Sequence, residues 1–84
     1  MCKDKAVKVI VGTVTRMPTI MLTTLEIQIR LDSGRLMEFE VESTKCNVYV
    51  NEYIQISHYF AQYQGDLPLV KEIYSITRRR KVFP

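Results

Sequence analysis

The sequence holds no tryptophan, one histidine, two cysteines and three glycines. Each scarcity removes a class of function. Two Cys and one His fall one ligand short of a closed zinc site, and no CxxC or HxxxH spacing is present. Gly12, Gly34 and Gly65 lie far apart, so no glycine-rich loop can cradle a phosphate. Cys2 and Cys46 are too few for a disulfide framework, and two free thiols in a reducing cytoplasm is the expected state. No apolar run approaches the roughly 18 residues that span a bilayer. The opening Met1-Cys2-Lys3-Asp4-Lys5 has no apolar h-region, which points to a cytoplasmic location. The alternative is a lipid anchor on Cys2, if a signal peptide had been trimmed before it. No segment repeats, none is of low complexity, and no cofactor is expected.

What is present describes a small globular chain. It has 84 residues, 46% of them hydrophobic and 25% charged, which fits one folded domain. The formal net charge is +3, but its location matters more than its size. Arg78-Arg79-Arg80-Lys81 carries +4, leaving eight basic against nine acidic residues elsewhere. The expected organisation is therefore a β-barrel domain over 1–77 and a basic C-terminal tail over 78–84.

Apolar spacing predicts strands and no long helix. Residues 5–17 are rich in β-branched types, with Gly12 marking a bend that lets one strand serve two sheets. Pro18 ends that strand, and 18–22 form an unusually apolar connection. Leu25, Ile27, Ile29 and Leu31 alternate against Thr24, Glu26, Gln28, Arg30 and Asp32. Asp32-Ser33-Gly34-Arg35 is a turn, with Gly34 free to take a positive φ. The return strand puts Met37, Phe39 and Val41 inward and Glu38, Glu40 and Glu42 outward. A connector follows at 43–47. A strand covers 48–60, with Asn51-Glu52 as a tight turn behind a Val48–Val50 lead-in. Residues 61–68 are a loop. The final strand, 69–77, shows Val70, Tyr74 and Ile76 on one face and Lys71, Ile73, Ser75 and Thr77 on the other. Five strands and no long helix predict a small closed or nearly closed all-β barrel.

The order of long bent strand, hairpin, connector and two strands resembles the OB-fold. Val9-Ile10-Val11-Gly12-Thr13-Val14-Thr15-Arg16-Met17-Pro18 is similar to the first strand of bacterial single-stranded-DNA-binding proteins and their primosomal relatives. Val48-Tyr49-Val50-Asn51-Glu52-Tyr53-Ile54-Gln55-Ile56-Ser57 is similar to that family's segment entering its fourth strand. The resemblance implies an OB-like barrel that binds single-stranded nucleic acid. Two features depart from it: 43–47 leave no room for the helix often found there, and the family's frequent stacking tryptophan is absent. An SH3-like or Sm-like barrel is the second choice of fold.

Two kinds of site follow. A nucleic-acid site would use Arg16, Arg30, Arg78, Arg79, Arg80 and Lys81 on phosphates and Tyr59 and Tyr63 for stacking. The outward face of the hairpin opposes this, because Glu26, Glu38, Glu40 and Glu42 face only Arg30 there. A protein interface, or a contact between copies, would use Met17, Ile20, Met21 and Leu22 after strand one. Tyr59, Tyr63 and Leu67 after strand four would complete it. The bland alternative is that Ile20 and Leu22 plug the barrel end. Catalysis has little to stand on. His58 is the only histidine, Ser57 beside it points to the other face of a strand, and Glu38, Glu40 and Glu42 are spaced for solvent. The expectation is a non-enzymatic binding module, nucleic acid first and protein partner second, with no small-molecule substrate or membrane span.

Overall fold

The computed structural model describes residues 7–64 and 67–84, with the backbone alone for 60–64. Cys2, the side chain of Tyr63, and Gly65 lie outside the described residues. Seven strands run in chain order: β1 (Val7–Val14), β2 (Thr19–Met21), β3 (Thr24–Leu31), β4 (Leu36–Glu42), β5 (Tyr53–Gln64), β6 (Leu67–Ser75) and β7 (Arg80–Phe83). A 3₁₀ turn, Ser43–Lys45, joins β4 to the segment before β5. Among the described residues no helix is long and apolar enough to cross a membrane.

Five strands close a ring, β1–β3–β4–β6–β5 and back to β1, which is an OB-like barrel. All these pairs are antiparallel except β4–β6, which is parallel and held by the single pair Glu40–Leu69. An SH3-like barrel joins its neighbouring strands antiparallel, so the parallel pair sets that alternative aside. Two further strands extend the ring. β2 pairs the first half of β3, and β7 pairs the last part of β6.

Gly12 is where β1 passes between sheets. It stands opposite Ile54 of β5 and also opposite Leu31 of β3. A Cβ placed there would meet the Arg30 carbonyl oxygen at 2.8 Å, so only glycine lets the two strands approach. The β3–β4 hairpin follows the predicted alternation. Leu25, Ile27, Ile29, Phe39 and Val41 are buried, and Gly34 takes φ 92° in the turn. With Val14, Ile54, Ile56, Val70 and Ile73 they form one core, each side chain contributing about 1.5–3 kcal/mol of burial.

The structure corrects four expectations. The connection 18–22 is itself partly a strand, β2, with Leu22 at a hairpin tip. The expected loop 61–68 is mostly strand, because β5 runs to Gln64 and β6 starts at Leu67. In β6 the inward set changes parity. Ser57 pairs with Glu72 but His58 pairs with Val70, so Lys71 is an extra residue. A bulge of this kind exchanges faces, and Ile73 and Ser75 are buried while Tyr74 and Ile76 are exposed. Finally, 78–84 is no free tail. Arg80–Phe83 forms β7, and Val82 is buried in the core.

Candidate interaction surface

The β2–β3 hairpin builds one end of the barrel. Pro18 fixes the approach, and Thr19, Ile20 and Met21 pair with Glu26, Leu25 and Thr24. The Thr24 hydroxyl donates to the Met21 carbonyl at 3.0 Å across the tip, and Ser43 N–H donates to the Thr23 carbonyl at 2.8 Å. Leu22 occupies the tip at φ 55°, a left-handed conformation that costs an ordinary residue about 1–2 kcal/mol. Its side chain is 99% exposed. Met17 and Ile20 are 68% and 70% exposed. Ile20 and Leu22 therefore do not plug the barrel.

Beneath the hairpin lies a groove of about 220 Å³, lined by Met17, Pro18, Ile20, Leu25, Ser43, Cys46, Asn47, Val48 and Tyr49. Ile20 sits opposite the buried Leu25 and shares its side of the ribbon, yet it projects past the rim. Burial pushes the Cys46 thiol up to about 11, so it meets solvent as a neutral, weakly polar group. The groove is thus apolar with a few uncharged polar atoms at its edge.

An ion-pair cluster holds the far wall. Asn51 turns the chain at φ 68°, and Glu52 points inward, 4% exposed. Its carboxylate accepts from Tyr49 N–H at 2.9 Å, from the Ser75 hydroxyl, and from Arg78 through Nε and Nη2. Arg78 also donates to the Asn47 carbonyl, and its guanidinium lies 4.7 Å from the centre of the Tyr49 ring. Burial alone would raise the Glu52 carboxyl. The hydrogen bonds from Arg78, Ser75 and Tyr49 outweigh it and hold the carboxyl below the ordinary range. The cluster fixes the 47–52 segment, and with it Val48 and Tyr49 of the groove.

The residues expected to meet phosphate are dispersed. Arg78 is committed to Glu52. Arg16 lies 3.9 Å from Glu38, and Lys81 lies 3.4 Å from Glu72. Arg30 stands exposed on the outer face of β3, while Arg79 and Arg80 are exposed beyond β6. Tyr59 pairs with Val7 at the start of β1, whereas Met17–Leu22 follow its other end, so register does not join these two parts of the expected interface. Tyr63 pairs with Pro68 on β6, as backbone only. The acidic face is as predicted. Glu26 faces Glu40 directly, and Gln28 donates to Glu38 at 3.2 Å.

His58 is buried inside the barrel, its ring centre 5.7 Å from that of Phe39. Its Nδ1 lies 3.2 Å from the Tyr59 carbonyl, and Nε2 has no hydrogen-bond partner among the described residues. Ser57, 6% exposed and next to His58 on β5, lies opposite Val9 and Glu72 in register, and no hydrogen bond joins it to the imidazole among the described residues. Sequence reasoning missed Tyr49, Val48, Cys46 and Glu52 as parts of a site. The available signal was an apolar Val-Tyr-Val stretch ahead of an Asn-Glu turn, too short to be a paired strand. Comparison with protein families, curated proteins and solved structures finds no match to this chain.

Proposed function

We propose that this chain is a small non-enzymatic protein-interaction module that works through the apolar end of its barrel. One observation carries the reading. Met17, Ile20 and Leu22 stand 68, 70 and 99% exposed beside a preformed apolar groove. Contiguous apolar surface rimmed by polar groups marks interaction sites, because leaving it in water costs free energy that a partner removes. Two methionines and a tyrosine add adaptable contact surface. The acidic β3–β4 face speaks against nucleic acid at the usual OB surface, since it would repel phosphates.

A second reading rests on a different observation. Arg30, Arg79 and Arg80 are exposed and make no ion pair among the described residues, so single-stranded nucleic acid could meet them electrostatically. One pair of measurements separates the two. An apolar fluorescent dye should bind the wild type and lose binding in Ile20→Lys and Leu22→Lys variants of unchanged circular dichroism. Poly-dT and poly-U should not bind at micromolar protein in low salt. Tight oligonucleotide binding that ignores those two changes and falls in Arg79→Ala/Arg80→Ala would overturn the interaction reading.

A further inference from the structure

We infer that the partner at the apolar end is a second copy of this chain, with Leu22 of each copy seated in the groove between Ile20 and Tyr49 of the other. The inference rests on the interaction reading above and names its partner.

Leu22 is the starting point. Within one copy its side chain packs on nothing, and its backbone holds a conformation that glycine or asparagine would adopt more readily. A turn alone has no use for a leucine there. A strained, fully exposed apolar tip is accounted for when something outside the chain receives it. The groove is a receptor of matching size and chemistry. A dry cavity of about 150 Å³ lined by aliphatic side chains can hold a benzene ring. A groove of about 220 Å³ therefore has room for a leucine side chain.

Symmetry then selects the occupant. A two-fold contact presents the same patch from both sides, so it must tolerate its own charge pattern. The β3–β4 face would set Glu26 and Glu40 against their copies, and the β7 side would set Arg79 and Arg80 against theirs. The tip and the groove carry no charge and place an apolar projection next to an apolar recess on one surface. The area is adequate as well. Met17, Ile20 and Tyr49, which line the groove, and Leu22 at the tip are 49–99% exposed. At full side-chain areas of roughly 150–200 Å² they offer on the order of 500 Å² per copy. Two copies would thus bury about 1,000 Å² in all, the size at which a specific interface begins.

The test is sedimentation equilibrium of the full chain from micromolar to millimolar concentration, alongside the dye measurement. The wild type should show a reversible dimer. Leu22→Asn removes the projection while suiting the left-handed backbone, and should raise the dimer dissociation constant at least about 30-fold. Ile20→Lys should block the groove to a similar degree. An equimolar mixture of the two variants should dimerise more tightly than either alone, because it restores one intact tip-in-groove contact. A monomeric wild type that binds the dye through this end overturns the second-copy inference and leaves the interaction reading standing. A monomer that binds no dye overturns both. A dimer unchanged by Leu22→Asn overturns the inference by placing the contact elsewhere.

Discussion

Arg78 reaches back to Glu52, 26 positions earlier, and the two side chains meet through both guanidinium Nε and Nη2. This pair joins the turn before β5 to the turn before β7. It also orders the segment that carries Tyr49. The most basic stretch of the sequence thus begins with a structural residue.

The first prediction separates Arg78 from its neighbours. Arg78→Ala leaves a buried carboxylate without its counter-charge, and should lower urea-unfolding stability by about 2–3 kcal/mol. The loss stays below that of a fully enclosed pair because 26% of the Arg78 side chain is exposed. Arg80→Ala, on an exposed position, should stay within about 0.5 kcal/mol of wild type. Equal, small losses for both would mean that the pair contributes no stability.

Acid sensitivity gives the second prediction. Burial works to raise the Glu52 carboxyl, but its hydrogen bonds and the charge of Arg78 hold it lower in the folded chain than the ordinary 4.5. A carboxyl depressed by folding adds stability that is complete above the unfolded value. That stability fades as pH falls through the folded value. The contribution should therefore be constant from pH 7 to about 5 and decline below 4.5. Glu52→Gln should be less stable at pH 7 and lose less between pH 4.5 and 2. A variant whose urea midpoint falls in parallel with the wild type would assign the acid loss to other groups.

Gly12 provides the third. The Cβ of an alanine would meet the Arg30 carbonyl oxygen at 2.8 Å and the Ile29 side chain at 3.0 Å. The first obstacle is backbone, so β1 and β3 must part. Gly12→Ala should cost about 2 kcal/mol and speed amide exchange at Val14 and Thr15. Gly34→Ala meets no atom within 4 Å and bears only the strain of φ 92°, about 1 kcal/mol. Wild-type stability in Gly12→Ala would show that β1 does not need that close approach.

The β3–β4 hairpin was legible because a strict two-residue period sorts Leu25, Ile27 and Ile29 from Glu26 and Gln28 without reference to any other strand. Gly12 was legible for a similar local reason. The faces of β6 were not. Val70 inward and Ile73 inward require a bulge at Lys71, and a bulge is a property of the pairing with Ser57 and His58. The last strand was hidden by its own charge. Four consecutive cations read as a solvated tail, while Val82 and Phe83 behind them, packed on the core, were the indication of a strand. Within the site, Met17, Ile20 and Leu22 were visible as apolar residues in a connection. Their receptor was not, since Cys46, Val48 and Tyr49 are brought beside the hairpin by long-range contacts, the Ser43–Thr23 and Asn47–Val82 backbone bonds and the Glu52–Arg78 cluster among them.

The position of β7 changes what removing residues 78–84 would measure. That deletion would strip Val82 from the core, uncover the edge of β6 at Ile73–Ser75 and leave Glu52 without Arg78. Any ligand lost with those residues would be lost together with part of the core and the strand that covers β6. The electrostatic contribution of this end is separable from its architecture only at Arg79 and Arg80, one side chain at a time.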